Sequence, residues 1–250
     1  MSYFKLIIAY DGTGYSGWQV QPNGVTVQQR LEEAWQEVTG ESLRIMASGR
    51  TDSGVHAEGQ VCSLESGTSL DCETLVRALN ATTPNDISIL GVEIAAEGFH
   101  AIRDAIQKTY RYQIQFGRIR DPMQSHCRWF VPNLVDTDAL TQAAGLLEGE
   151  HDFASFQAAG SDRKTTVRTV SQIAIRQWHR EVFRYLDIEV TANGFLYNMV
   201  RNIVGTLVAV GQGRFEPEWT LQVLAKKDRT FAGSTAPSHG LVLARVVYEH

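Results

Sequence analysis

The sequence predicts an α+β protein made of two ferredoxin-like halves, and three observations carry that prediction. Strand-like and helix-like segments follow the order β-α-β-β-α-β over residues 3–95, and a similar order recurs over 108–249. The strand segments alternate or cluster β-branched residues, whereas the helical ones repeat apolar residues every three or four positions. No low-complexity segment or Pro/Gly/Ser-rich linker intervenes. The boundary is therefore expected near residue 105, between a first half, 1–105, and a second half, 106–250, packed rigidly together.

Each element has a local reason. "YFKLIIAY", 3–10, reads as a strand, and "DGTGYSGWQVQPNG" as a loop dense in turn-forming residues. In "TVQQRLEEAWQEVTG", Val27, Leu31, Ala34, Trp35 and Val38 fall at helical spacing, with Thr26 as N-cap and Gly40 as stop. "SLRIMAS" and "GQVCSLES" read as strands flanking a turn, "DCETLVRALNATT" as a helix opened by Asp71, and "DISILGVEIA" as a strand. In the second half "KTYRYQIQF" alternates with period two, and "DTDALTQAAGLLEG" reads as a helix. "TVRTVSQIAIRQW" and "EVFRYLDIEVT" read as a hairpin turning at His179-Arg180. "GFLYNMVRNIVGTLVAVG" reads as an apolar-faced helix and "GLVLARVVYE" as a final strand.

The chain has 250 residues, 43% of them hydrophobic, which is ample for one large core or two small ones. No apolar run is long enough to span a bilayer. The first residues lack the basic, apolar and small-residue regions of a signal peptide, and Cys62, Cys72 and Cys127 suggest neither a disulfide framework nor a zinc pattern. A reducing cytoplasm is the expected location, with no membrane contact. Net charge is −5, but its distribution is uneven. Residues 1–99 hold 5 Lys and Arg against 13 Asp and Glu, while residues 100–250 hold 18 against 15 and include 14 arginines. Arginine suits phosphate because its planar fork donates paired hydrogen bonds, although ordinary solvated surface has the same composition.

Gly12, Gly14 and Gly17 spell G-x-G-x-x-G after a strand, the pattern of a dinucleotide-binding turn. Context rejects that reading, because a helix should begin at the third glycine and instead starts near Val27. Tyr15 and Trp18 on this loop suit either packing against the protein or stacking on a base. The turn "SGRTDSGVH", 48–56, sets Arg50 and Asp52 between two glycines. Asp52 reads as a turn residue bonded to its own backbone, or as a nucleophile or general base. A metal ligand is excluded for want of neighbouring carboxylates. A shielded, ionised Asp needs a cation nearby, and Arg50 and Arg201 are the candidates. Arg201 stands in a helix otherwise rich in apolar residues, where an arginine either snorkels to the surface or pairs with an acid.

"GRTDSGVHAEGQV" resembles the signature of the tRNA pseudouridine synthase A family. "YDGTGYSGWQVQPNGVTVQQRLEEA", "FHAIRDAIQKTYRY", "LEGEHDFASF", "GFLYNMVRNIVGTLVAVGQG" and "GSTAPSHGLVLARVVY" resemble further blocks of that family, in its order and over nearly the whole chain. The resemblance implies the pseudouridine synthase fold: α+β, with two ferredoxin-like α/β halves around a central, mainly antiparallel sheet and a cleft between them. It implies a homodimer that works without cofactor or metal and isomerises uridines of the tRNA anticodon stem-loop at positions 38, 39 and 40. It further implies that Asp52 is the catalytic aspartate, Arg201 its ion-pair partner, Tyr110 the tyrosine stacked on the target base and Arg50 a contact to RNA that helps hold the flipped nucleotide. Leu241 matches an apolar residue lining the uracil pocket. Arg103, Arg111, Arg163, Lys164 and Arg168 are candidate contacts to the RNA backbone. The chain departs from the family pattern at Ser48 and Ser53, where Ala is common, at Thr83-Pro84, where Leu-Pro is usual, and at Ile102, where an Arg is usual.

Pseudouridine formation breaks the N1–C1′ bond, turns the uracil and rejoins it through C5, so no group enters or leaves. The expected requirements are a carboxylate beside the sugar and a base drawn out of its stack. Two rival readings lack their signatures. A non-catalytic RNA-binding module should carry an RNP string, and none is present. A nucleoside hydrolase should pair Asp52 with a second carboxyl group, for which Glu58 is poorly spaced.

Overall fold

The computed structural model describes residues 1–134, 136–158 and 165–249. In chain order the elements are β1 (Ser2–Tyr10), α1 (Val27–Thr39), β2 (Met46–Ala47), β3 (His56–Ser66), α2 (Cys72–Thr82), β4 (Ile87–Ala95) and β5 (Ala105–Phe116). There follow β6 (Trp129–Val131), α3 (Thr137–Gly145), β7 (Gly149–Asp152), β8 (Val167–Arg180), β9 (Phe183–Ala192), α4 (Met199–Gly211), α5 (Trp219–Lys226) and β10 (Leu241–Tyr248). The chain forms two compact units, one of residues 1–106 together with β10 from Val242 onward, the other of residues 107–241. Among the described residues no helix is long and apolar enough to cross a membrane.

In the first unit β1 lies between β4 and β3, antiparallel to both. Its alternation sends Phe4, Leu6, Ile8 and Tyr10 into the core, where Leu31, Trp35, Leu75 and Leu79 of the two helices are also buried. Phe4 meets Trp35 with ring centroids 5.9 Å apart. Both helices are capped as the sequence predicts. The Thr26 side chain accepts from the Gln29 N–H, Gly40 takes the left-handed conformation at φ 78°, and Asp71 accepts from Thr74.

Two expectations change here. "SLRIMAS" shrinks to the two-residue β2, because side chains of α1 claim the backbone before it: Glu32 accepts from the Ile45 N–H and Gln28 donates to the Ile45 carbonyl. The final strand, expected within 106–250, instead runs parallel to the start of β3, with Val242 opposite His56 and Leu243 opposite Ala57. Gly59 permits this approach, since a Cβ there would sit 2.7 Å from the Ala244 carbonyl oxygen.

The second unit is a sheet in the order β5-β9-β8-β7, antiparallel throughout, with β6 added parallel to β5. Tyr110, Tyr112 and Ile114 of β5 are buried on one face, opposite Val190, Ile188 and Leu186 of β9. The β8–β9 hairpin pairs Arg180 with Phe183, so its turn is Glu181-Val182, later than the expected His179-Arg180, and Glu181 takes φ 53°. Helix α4 is buried at every residue except Arg201.

Candidate active site

The turn carrying Asp52 is fastened on both flanks. The Thr51 hydroxyl lies 2.8 Å from the buried Tyr10 hydroxyl, and the Thr51 carbonyl accepts from the Trp18 N–H at 3.0 Å. The Ser53 hydroxyl donates to the Tyr15 carbonyl at 3.0 Å, and the Val55 N–H closes the turn onto the Asp52 carbonyl at 3.1 Å. Gly54 supplies the required positive φ, 75°. Burial pushes the Tyr10 hydroxyl pKa well up, so this anchor stays neutral. Both serines that depart from the family pattern find partners: Ser53 as just described, and buried Ser48 by donating to Gln60, whose amide returns a bond to the Gly49 carbonyl.

Two of the three glycines of the imitation fingerprint serve this turn. A Cβ on Gly12 would lie 2.0 Å from the Val55 carbonyl oxygen. One on Gly17, whose φ is +89°, would lie 2.7 Å from the Thr51 carbonyl oxygen and 3.2 Å from the Asp52 carbonyl carbon. The loop thus brings backbone against backbone beneath the acid. Tyr15 and Trp18 are 6% and 2% exposed, so they pack into the protein and are not a stacking platform. Asp52 itself is half-buried and Arg50 is exposed, a position suited to RNA and unsuited to a shielded ion pair.

In the second unit Tyr110 is 8% exposed, with its ring edge-on to Phe195 at 5.0 Å. Arg201 donates from Nε to the Ala236 carbonyl at 2.7 Å and from a terminal nitrogen to Asn198 Oδ1 at 2.9 Å. Asn198 opens α4 in the left-handed conformation, φ 59°. The segment that Arg201 grips leads through Pro237, whose carbonyl accepts from Tyr112, to Leu241, which is buried. Gly240 is a glycine because a Cβ would strike the Tyr112 ring at 2.6 Å. Sequence reasoning missed Tyr112 as well as Asn202, Arg229 and Thr235, which hold this segment on α4. The block "GSTAPSHGLVLARVVY" pointed to the segment, but nothing local shows which residues anchor it.

The candidate RNA contacts scatter. Arg103 is exposed and bonded to Asp104, and Arg168 is half-buried, donating to the carbonyls of Thr165 and Val167. Arg163 and Lys164 lie outside the described residues. Arg111 stands 3.7 Å from Glu189 on the sheet face opposite Tyr110, beside a groove of about 350 Å³ shared with Arg128, Arg176 and Asp187. Arg128 is 6% exposed, lies 2.7 Å from Asp187 and covers the rings of Trp178 and Tyr185. Arg128→Met should cost about 3 kcal/mol of stability, since the largely shielded Asp187 carboxylate loses its cation and, among the described residues, is left with the Trp178 N–H. Denaturant unfolding of the variant checks this.

The sequence profile described as tRNA pseudouridine synthase matches residues 6–102 and 143–249. The chain is 46% identical over 248 residues to the tRNA pseudouridine synthase A of Pelobacter propionicus, covering 99% of this chain and 100% of that one. It is 42% identical over 244 residues to the protein of the same name from a Thermoanaerobacter species, covering 97% and 98%. Among solved structures, an H/ACA RNP bound to a substrate RNA containing 2′-deoxyuridine aligns with a TM-score of 0.39 and 14% identity. It covers 82% of this chain and 43% of that one, a likeness too remote to argue from. The chain belongs to the tRNA pseudouridine synthase family, isomerases that convert uridine to pseudouridine in tRNA.

Proposed function

We propose that this chain isomerises uridines at positions 38, 39 and 40 of the tRNA anticodon stem-loop, with Asp52 as the catalytic carboxylate. The observation that carries this reading is the construction around Asp52, where the residues on either side are bonded in place and two glycines seat the turn on a second loop. A group that must meet a nucleotide in one geometry needs such preorganisation. The target base leaves its stack and lies against Tyr110, a contact worth ~1–3 kcal/mol. Asp52 acts on the sugar, at C1′ or at the C2′ proton. The N1–C1′ bond breaks, the uracil turns, C5 bonds to C1′, and the proton lost from C5 is balanced by the one gained at N1. Arg201 keeps Asp52 ionised and aimed, and Leu241 lines the uracil pocket. Arg50 contacts RNA and helps hold the flipped nucleotide, and Arg103, Arg111, Arg163, Lys164 and Arg168 are the candidates for backbone contacts, which position RNA without reading its sequence. The enzyme works in the cytoplasm as a homodimer, without metal or organic cofactor.

The test is incubation with an unmodified tRNA transcript, followed by mass spectrometry and mapping of pseudouridine. Pseudouridine at 38–40 with no change in RNA mass is the expected result. Release of free uracil would make the protein a hydrolase, and unaltered RNA would make it a binding module; either outcome overturns the proposal.

A further inference from the structure

We propose that Arg229 is a positioning residue for the isomerisation, setting the aim of Arg201 through the segment 229–237. The inference rests on the reading that Arg201 holds the catalytic carboxylate.

The segment is strapped onto α4 by contacts that converge on Arg201. Asn202, the next residue, is completely buried. Its Oδ1 accepts from Arg229 at 3.0 Å and from the Thr235 hydroxyl at 2.7 Å, while its Nδ2 donates to the Phe156 carbonyl at 2.8 Å. Arg229 also donates to Thr235 Oγ1 at 2.9 Å and, more weakly, to the Ala232 carbonyl at 3.4 Å. One turn along the helix, Thr206 accepts from the Gly233 N–H at 3.0 Å. The approach is backbone on backbone. A Cβ on Gly205 would lie 1.7 Å from the Ser234 carbonyl oxygen, and one on Gly233 would lie 2.7 Å from the Gly205 backbone.

The far end of the strap is Ala236, whose N–H donates to the Arg201 carbonyl at 3.1 Å and whose carbonyl accepts from Arg201 Nε at 2.7 Å. Together with Asn198 this fixes the guanidinium plane. Any slip of the strap along α4 therefore turns Arg201. Arg229 suits the strut because one planar fork binds Asn202, Thr235 and the strap's own backbone at once. The choice has a cost. Arg229 is half-buried, burial lowers its pKa, and among the described residues all its hydrogen bonds end on neutral oxygens. A cation kept there without an acid is poorly explained by stability alone.

The experiment measures the single-turnover isomerisation rate, tRNA affinity and Tm of the full-length protein. Arg229→Met should slow the chemical step about 10²-fold, the effect of a roughly ångström-scale misplacement, with tRNA affinity unchanged. In an Arg201→Lys background the same change should cause no further loss, because the strut then has nothing to aim. Thr235→Ser should keep the rate and Thr235→Val should lose it, a comparison that stands even if Arg229→Met fails to fold. Losses that multiply in the double variant, a fall in tRNA affinity in place of rate, or equal rates for Thr235→Ser and Thr235→Val would each overturn the inference. A wild-type rate for Arg201→Lys would overturn the role of Arg201 itself. A slow Arg201→Lys beside a normal Arg229→Met sinks only the strut.

Discussion

Asp52→Asn should bind tRNA as the parent does and form no detectable pseudouridine. The amide has the same shape, and the turn is held by Thr51, Ser53 and Val55, so the backbone should keep its course. What disappears is the negative charge that the proposed mechanism sets beside the reacting sugar. Removing the central group of a catalytic unit costs about 10⁴-fold or more in turnover. Gel-shift affinity and mass-spectrometric pseudouridine counts on the same preparation separate the two effects. Undiminished isomerisation would remove Asp52 from the mechanism and return it to the standing of an ordinary turn residue.

Gly17→Ala should be nearly as damaging, although residue 17 bears no chemical group. The methyl would stand 2.7 Å from the Thr51 carbonyl oxygen and 3.2 Å from the Asp52 carbonyl carbon, at a φ of +89° that L residues rarely adopt. The turn must move away, and the Trp18 N–H to Thr51 carbonyl bond is the first contact strained. Overpacking of this kind costs about 1–3 kcal/mol. The larger effect is on rate, about 10²-fold, because the acid is displaced from its working position. Thermal unfolding and turnover measured together check the split: a lowered Tm with normal turnover would show that the loop supports the fold without aiming the acid.

These two residues also mark what the sequence disclosed and what it hid. Thr26, Gly40 and Asp71 were legible because helix caps act within three or four residues. Asp52 stood out as a candidate from its turn, and the role proposed for it comes from a family resemblance spanning most of the chain. Gly17 was not, because its reason lies more than thirty residues away in sequence. The loop 12–17 looked like a phosphate cradle since close backbone approach demands glycine whatever is being approached. Strand β2 was overread because Gln28 and Glu32, in the preceding helix, take the bonds a longer strand would use. Strands β6 and β7, of three and four residues, are too short to show a period. Helix α5 was missed at eight residues, despite Pro217 before it and Trp219, Val223 and Leu224 at helical spacing.

The late arrival of β10 bears on how the protein is made. Strand β3 leaves the ribosome more than 170 residues before Val242 and Leu243 can pair with His56 and Ala57, just beyond the Asp52 turn. At about 5–20 residues per second, that stretch of its edge waits roughly 10–35 seconds for its neighbour. Residues 107–241 can by then have formed their own compact unit. A nascent chain therefore carries its carboxylate on an unfinished sheet until residues 242–248 emerge, and capacity to modify RNA should switch on only once they have paired.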